Sequence, residues 1–310
     1  MSSSSREESF LKLLKAQCKS CTKGTLKVYH SSIKRLHRLL NPDATSVPTT
    51  KAWLMSEKLF EKYKMKPVNI RRHLAMGAYK ATQAYHIKPE NKWYAAMVQS
   101  QAKYQEQRNK NEPSEKEKDL IPKAGMKAIK RSAVELKKRL KFVFADKPSK
   151  AGVFKIQMWL ALKLFTEIPF RNDLPTIHVK EKKENHLVKT KSGYKIVMVK
   201  YKNSDRLGPR EIKVSRAGSM ALTKFLRIRD KVIEHDMLFS NKNGKPMSKS
   251  AFGKALQNTT EKLLGKRIGS RIIRIVFSSE PEHKAVIEKA AEITNKLLHT
   301  AKQTKQYIRK

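Results

Sequence analysis

The stretch LVKTKSGYKIVMVKYK, residues 187–202, decides the fold of the second half of this chain. Strand-forming residues lie on both sides of the turn residues Lys191, Ser192 and Gly193, and this pattern predicts two strands joined by a tight hairpin. Similar segments before and after the hairpin predict one further strand on each side. The predicted strands cover residues 176–180, 187–190, 195–202 and 211–214. They indicate a small antiparallel sheet.

Helical patterns surround this sheet, because apolar residues recur there at three- and four-residue spacing. Residues 109–117 carry no apolar side chain except Pro113, and they separate an all-helical first part from the mixed second part. We therefore predict an α plus α+β protein with a helical domain at 1–112, a linker at 113–117 and a mixed domain at 118–310. The predicted helices cover residues 25–40, 50–65, 68–87, 93–108, 123–142 and 150–165, and helices return from 217 onward.

The charge balance points to a polyanionic partner. The chain has 310 residues, with 69 Lys and Arg against 27 Asp and Glu, so its net charge is +42. That surplus is far more than solubility requires, and it favours nucleic acid as the partner. The longest apolar stretch, 153–165, is interrupted by Lys155, Gln157 and Lys163. We therefore expect no membrane partner.

Cys18 and Cys21 form a CxxC pair near the start of a helix. His30 and His37 follow as possible metal ligands, but the spacing of known zinc fingers and a second cysteine pair are missing. We therefore predict two reduced thiols, no bound metal and a reducing interior such as the cytosol, nucleus or virion.

Six residues suited to phosphate chemistry follow one another along the second domain. Arg271 and Arg274 are three residues apart, so on a helix they share one face while the intervening isoleucines turn toward the core. A histidine and a tyrosine end the series, eight positions apart. Tyrosine is a useful nucleophile only where cations stabilise the charge that develops on a phosphodiester. In chain order the six are Arg171, Lys191, Arg271, Arg274, His299 and Tyr307.

This order resembles the signature of the tyrosine recombinases, site-specific recombinases and integrases that cut DNA through a 3′-phosphotyrosine. The family signature is Arg, a hairpin Lys, His-x-x-Arg, a His or Trp, and a C-terminal Tyr. The match covers about residues 120–310, and the N-terminal helices are similar in kind to the core-binding domain of the family. Arg271 stands where the family has His, and the gap of eight from His299 to Tyr307 is more often nine. These departures resemble a divergent viral or mobile-element branch.

The resemblance and the chemistry of these residue types imply roles for five of the six. Arg171 and Arg274 bind the non-bridging oxygens of the phosphate, because guanidinium matches that geometry. Lys191 protonates the departing 5′-oxygen, His299 hydrogen-bonds the same phosphate, and Tyr307 attacks it. Since arginines supply the charge that a metal provides elsewhere, we expect no metal, ATP or other cofactor.

Several alternatives stay open at this stage. Lys189, Lys195 and Lys202 are substitutes for Lys191 as the hairpin lysine, and Arg271 is a hydrogen-bond donor that cannot accept a proton near neutral pH. The resemblance implies that a homo-tetramer assembled on double-stranded DNA integrates or excises a viral or mobile element. It also implies that the protein acts inside the cell, in the host nucleus, a viral factory or a virion. A type IB topoisomerase, or a catalytically inactive DNA-binding protein of the same fold, would share most of these features.

Overall fold

The computed structural model describes residues 3–48, 50–88, 92–109, 113–140 and 148–296. The chain divides into two compact units, which are unit 1 at residues 1–112 and unit 2 at residues 113–310. Each unit has its own hydrophobic core. The architecture is mostly helical with one small sheet, so the predicted coarse fold class is confirmed.

Unit 1 contains only helices in its described residues. Amphipathic spacing buries Leu26, Ile33 and Leu36 on one face of a helix whose N-terminus is capped by the Thr22 hydroxyl. The fully buried Trp93 fills the centre of the core and donates its indole N–H to the backbone oxygen of Leu54 at 2.8 Å. The helices are α1 (Ser3–Gln17), α2 (Lys23–His37), α3 (Ala52–Met55), α4 (Glu57–Lys64), α5 (Val68–Ala84) and α6 (Lys92–Asn109).

The predicted reduced thiols are wrong, because Cys18 and Cys21 are joined by a disulfide. Cys18 follows the last residue of α1, and a turn in which Cys21 N–H donates to the Cys18 oxygen brings the two Cα atoms to 5.3 Å. That separation lies within the range that a disulfide spans. The CxxC pair is therefore a local bridge between the end of α1 and the start of α2.

Unit 2 is organised around a helix that is buried on nearly all sides. Every residue from Ile156 to Leu162 is buried, although Gln157 is polar. The side-chain oxygen of Gln157 accepts a hydrogen bond from the Ser240 N–H, and the side-chain nitrogen donates one to the Ser240 carbonyl oxygen. Both polar groups of the buried amide are therefore satisfied. No helix among the described residues is both long and apolar enough to cross a bilayer.

Unit 2 has eight helices among its described residues, and the central helix packs mainly against three of the others, those that begin at Gly125, Arg216 and Lys249. The eight helices are α7 (Glu115–Leu120), α8 (Gly125–Arg139), α9 (Lys150–Phe165, the central helix), α10 (Ser204–Leu207), α11 (Arg216–Arg229), α12 (Lys249–Leu264), α13 (Ser270–Ser279) and α14 (Pro281–Lys296). Ser114 and Glu117 form a capping box that starts α7 inside the segment we predicted as linker.

The sheet has the strand order β1-β2-β3-β4 and lies between α9 and α11 along the chain. The hairpin register pairs Thr190 with Gly193, so Lys191 and Ser192 form the turn. Leu187, Ile196 and Met198 turn into the core of unit 2. The strands are β1 (Ile177–His178), β2 (Asn185–Thr190), β3 (Gly193–Met198) and β4 (Arg210–Lys213).

The sheet is mixed, so the predicted purely antiparallel arrangement is wrong. β1 pairs with β2 in parallel, whereas the other two pairings are antiparallel. Parallel neighbours usually need a crossover of a dozen or more residues, but here the chain turns back within residues 179–184. Asp236 makes this possible, because its carboxylate accepts hydrogen bonds from the N–H groups of Lys180 and Glu181.

Candidate active site

Arg171 lies in the loop that connects α9 to the sheet. The loop is held from both sides, since Phe170 is buried and the Asp173 backbone oxygen accepts hydrogen bonds from the N–H and the hydroxyl of Thr176. Arg171 itself is partly buried. The backbone that carries this guanidinium is thus fixed by the core.

The first turns of α12 pack against the same loop. A Cβ added to Gly253 would lie 2.7 Å from the side-chain nitrogen of Asn172, so only glycine permits this approach. Lys249, at the first position of α12, pairs with the Asp173 carboxylate at 2.5 Å. Because the Asp173 side chain is buried while that of Lys249 is half exposed, this ion pair ties α12 to the loop that carries Arg171.

Arg271 and Arg274 occupy one face of α13, as their spacing predicts. The opposite face buries Ile272, Ile273 and Val276 in the core of unit 2. The two arginines differ in environment, because Arg271 has 73% of its side chain exposed and Arg274 is partly buried. The apolar face of α13 therefore fixes both arginines relative to the core.

The structure brings Arg171, Arg271 and Arg274 together, and we call these three residues the arginine cluster. Burial lowers the pKa of Arg274 below its ordinary value, and the positive charges of Arg171 and Arg271 lower it further. Only the Asp173 carboxylate acts in the opposite direction. The Nε atom of Arg274 is buried and has no hydrogen-bond partner among the described residues. A cluster of this kind is suited to an anion with several oxygen acceptors.

Arg271 already has an acidic partner in α7. The Glu117 carboxylate pairs with the Arg271 guanidinium at 2.5 Å, and only 16% of the Glu117 side chain is exposed. Burial alone would raise the pKa of Glu117, but hydrogen bonds from Ser114 and the charge of Arg271 outweigh it and lower that pKa. Glu117 is thus ionised near neutral pH and would compete with a phosphate for Arg271.

Lys191 lies at the exposed tip of the β2–β3 hairpin, where the sequence predicts it. The hairpin is fastened to α11, because the Tyr194 N–H donates to the Ser219 hydroxyl at 3.0 Å and Gly193 lies directly against Ser219. Gly193 has a φ of +138°, a conformation that L side chains rarely adopt. Lys191 lines a different depression from the arginine cluster, beside Glu167 and Arg216.

The structure separates Lys191 from the lysines that were its alternatives. Lys195 forms an ion pair with Glu211 across β3 and β4 at 2.9 Å. Lys202 comes four residues after the end of β3, at the other end of the hairpin. Lys189 is exposed near the tip, within β2 and opposite Tyr194. Lys191 has no acidic partner among the described residues within ion-pair distance.

Two of the six predicted residues, His299 and Tyr307, lie outside the described residues. Sequence reasoning missed Lys249, Asp173 and Glu117, which contact the predicted arginines or the loop that carries them. Asp173 stood two positions from Arg171 and offered a local signal. Lys249 lies 76 residues from Asp173, so the sequence carries no signal of their ion pair. Glu117 belongs to a capping pattern, but it lies in a segment whose lack of apolar side chains favours a linker.

One cluster of possible metal ligands occurs among the described residues, formed by His178, Glu181 and Asp236. Both oxygens of Asp236 already accept hydrogen bonds from backbone N–H groups, and His178 Nδ1 contacts one of them at 3.0 Å. These contacts hold the connection between β1 and β2. The cluster is thus a structural part of the sheet.

Comparison with protein-family models, curated proteins and solved structures finds no match to this chain. The function is therefore inferred from the residues of the site and their chemistry.

Proposed function

We propose that the chain cuts and rejoins DNA through a 3′-phosphotyrosine, as a site-specific recombinase or integrase of the tyrosine recombinase type. The observation that carries the proposal is the convergence of three arginines from two distant segments on one partly buried spot. Three guanidinium groups and Lys249 face two carboxylates, Glu117 and Asp173, so the site keeps a surplus of positive charge that a bound anion would neutralise. A DNA phosphate supplies that anion, and the net charge of +42 favours DNA as its source.

The proposed reaction has two balanced steps. In the first, the Tyr307 oxygen forms a bond to phosphorus and its phenolic proton passes to solvent, while the bond from phosphorus to the 5′-oxygen breaks and Lys191 donates a proton to the departing oxygen. In the second, the 5′-hydroxyl of another DNA end attacks the phosphotyrosine and returns its proton to Lys191. The bond from phosphorus to the tyrosine oxygen breaks, and this oxygen takes a proton from solvent. Arg171 and Arg274 bind the non-bridging oxygens in both steps, and His299 adds a hydrogen bond. No oxidant, nucleotide or metal enters this balance.

Arg271 takes the position that is usually His in the resembled family. Its guanidinium donates hydrogen bonds and keeps its charge, so it would support the phosphate but would not act as a base. Its ion pair with Glu117 must open for phosphate to bind. DNA binding would therefore replace the Glu117 carboxylate with a phosphate as the anionic partner of Arg271.

A suicide-substrate assay tests the chemistry. Nicked, end-labelled duplexes drawn from the DNA that encodes the chain are incubated with wild type, Tyr307→Phe and Tyr194→Phe. The last variant is the matched control, because it removes a phenol hydroxyl from the hairpin. We expect a denaturant-resistant protein–DNA adduct in wild type and in Tyr194→Phe, and none in Tyr307→Phe. An adduct that persists in Tyr307→Phe would exclude the proposed nucleophile.

The same assay separates the alternatives. Tight DNA binding without any adduct would favour a catalytically inactive DNA-binding protein. Relaxation of supercoiled plasmid by a single protomer, without sequence preference, would favour a type IB topoisomerase. Recombination also requires assembly on DNA. Sedimentation of the chain with half-site duplexes is expected to show four protomers, and a species with one protomer would contradict the proposed tetramer.

A further inference from the structure

A groove on the surface of unit 2 combines an apolar floor with a rim of lysines, and we call it the lysine groove. It lies between α8, α9 and α11 and has a volume of about 510 Å³. Val134 and Met220 form much of the floor, with exposed fractions of 57% and 66%, and the largely buried Trp159 adds an edge. Apolar side chains grouped in one exposed groove are candidates for an interaction site.

Each of the three helices contributes the same pair to the groove, an apolar residue followed by a lysine about one turn later. The pairs are Val134 with Lys137 on α8, Trp159 with Lys163 on α9, and Met220 with Lys224 on α11. Lys130 extends the α8 row by one turn in the other direction. Residues three or four positions apart share a helix face, so apolar floor and cationic rim run together along the groove.

The charge of the lining is of one sign. Among the described residues that line the groove there is no acidic side chain. Lys163 reaches Glu167, one helical turn beyond, at 3.1 Å. A DNA backbone would use the lysines, but it would gain nothing from an exposed valine and methionine. A protein segment with an apolar centre and acidic flanks would use both.

We propose that the lysine groove binds an acidic amphipathic helix of a partner protein. The apolar stripe of the partner helix would cover Val134, Trp159 and Met220, and its flanking carboxylates would face the lysines. This is the usual way in which a helix lies in a groove, and complementary charge sets its orientation and its choice of partner.

A second copy of this chain fits the groove less well. Among the described residues, α14 offers exposed apolar side chains, since Val286 and Ile287 are 68% and 54% exposed. However, the α14 sequence PEHKAVIEKAAEITNK contains three Glu and three Lys, so it has no net negative charge. The lysine rim therefore favours a more acidic helix from another protein. The proposal does not depend on the DNA chemistry above.

The test uses the full chain and a fluorescein-labelled synthetic peptide of about five helical turns, with leucines along one face and glutamates on both flanks. A scrambled peptide of the same composition controls for charge alone. Fluorescence anisotropy is measured at about 0.15 M salt, where separated surface charges are largely screened. We expect the striped peptide to bind wild type at least about tenfold more tightly than the scrambled one, because only its leucines form one apolar face.

Two pairs of variants locate the binding site. Val134→Ser with Met220→Ser removes the exposed floor and is expected to weaken the striped peptide by about tenfold. The matched control, Val199→Ser with Leu207→Ser, changes apolar residues that are 40% and 42% exposed elsewhere in unit 2 and should have no effect. For the rim, Lys130→Gln with Lys137→Gln should weaken binding, whereas Lys182→Gln with Lys202→Gln should not.

Three results would overturn the proposal. The first is equal binding of the striped and scrambled peptides. The second is peptide binding that survives the loss of Val134 and Met220 while duplex DNA binding is lost, which would make the groove a nucleic-acid surface. The third is self-association of wild type that the Val134 and Met220 variant abolishes, which would make a second copy the occupant. All substituted floor and rim residues are exposed, and circular dichroism checks that each variant is folded.

Discussion

The arginine cluster and the β2–β3 hairpin present cations in opposite ways. Arg274 is partly buried beside two other guanidinium groups, and its helix is held by Ile272 and Ile273 in the core. Lys191 stands at an exposed turn, and the next residues contact Ser219 on α11 through Gly193 and the Tyr194 N–H. One region holds its charge in a fixed position, and the other holds its charge at the end of a flexible stem.

This difference suggests a division of labour. Guanidinium groups held in place by packing of their backbone need little reorganisation when charge develops on a phosphate, which is how preorganised sites stabilise transition states. An exposed lysine on a hairpin tip can move with the DNA to the departing oxygen, but it contributes little to binding. We therefore expect variants of the cluster to affect phosphate binding and cleavage together, and variants of the hairpin to affect cleavage alone.

The largest expected effect comes from Arg274→Ala. Loss of one preorganised donor should lower the rate of adduct formation by about 10²–10³-fold, and single-turnover cleavage of the nicked duplex measures it. Arg274→Lys should recover only part of the rate, because lysine lacks the planar fork. Full recovery in Arg274→Lys would show that charge alone matters there.

Lys191→Ala should slow cleavage with no more than a small change in DNA affinity. Its role as a proton donor can be separated from binding with a substrate whose leaving 5′-oxygen is replaced by sulfur. Such a leaving group needs little protonation, so it should restore cleavage by Lys191→Ala but not by Arg274→Ala. If Lys189→Ala behaves in this way and Lys191→Ala does not, the hairpin lysine is misassigned.

Gly193→Ala should destabilise unit 2 by about 2–3 kcal/mol, since strained backbone and steric overlap add. Its φ is +138°, and an added Cβ would lie 2.4 Å from the Ser219 oxygen. Gly208→Ala is the matched control, with a φ of +67° and open space around the new Cβ. We expect a loss of only about 1 kcal/mol there. Urea unfolding compares the two, and equal losses would show that the contact with Ser219 is loose.

Asp173→Asn should destabilise unit 2 by about 1–2 kcal/mol, because it removes one of the two carboxylates, Asp173 and Glu117, that oppose the positive charge of the arginine cluster. Lys249→Met should have a smaller effect, since the Lys249 side chain is half exposed and its ion pair is screened by solvent. Urea unfolding at two salt concentrations measures both. A larger loss of stability in Lys249→Met than in Asp173→Asn would show that the Asp173 carboxylate interacts more strongly with Lys249 than with the arginines.

The smallest expected effect is a change in the pH dependence of stability in Glu117→Gln. The pKa of Glu117 is lowered from 4.5 in the folded protein, so its stabilising contribution is present above that value. The contribution disappears as the pH falls through the folded pKa. Between about pH 5 and 3, wild type should therefore lose more stability than Glu117→Gln. Parallel curves for the two proteins would contradict the ion pair with Arg271.

Glu117→Gln should also raise the affinity for duplex DNA by a few-fold near neutral pH, because Arg271 no longer has a competing carboxylate. Glu115→Gln is the matched control, since Glu115 pairs with Lys118 on the exposed side of α7. An affinity change of the same size in both variants would mean that only net charge matters.

The sequence predicted the elements of the fold better than their pairing. Hydrophobic spacing located α9, α13 and the hairpin, because local periodicity decides which face of an element is buried. It could not reveal the parallel pairing of β1, which depends on Asp236 more than fifty residues away. The disulfide was missed for a related reason, since a turn of the backbone and not the CxxC spacing brings Cys18 and Cys21 together.

The same difference between local patterns and long-range contacts applies to the candidate site. The proximity of Arg171, Arg271 and Arg274 could be predicted because their types and order fit one chemistry, and the structure brings them together. The ion pairs that Glu117 and Lys249 form could not, because an ion pair between distant segments leaves no pattern in either segment. The assignments of His299 and Tyr307 stay predictions.

The burial of every residue from Ile156 to Leu162 in α9 has a consequence for how this protein can change over time. In a saturation-mutagenesis experiment, tolerance along α8 should rise and fall every three or four positions, as its exposed face alternates with its buried one. Between Ile156 and Leu162 no position offers such freedom, so tolerance should be uniformly low there. Variation in unit 2 would then accumulate on the outer helices, while this one helix stays nearly constant in volume and polarity.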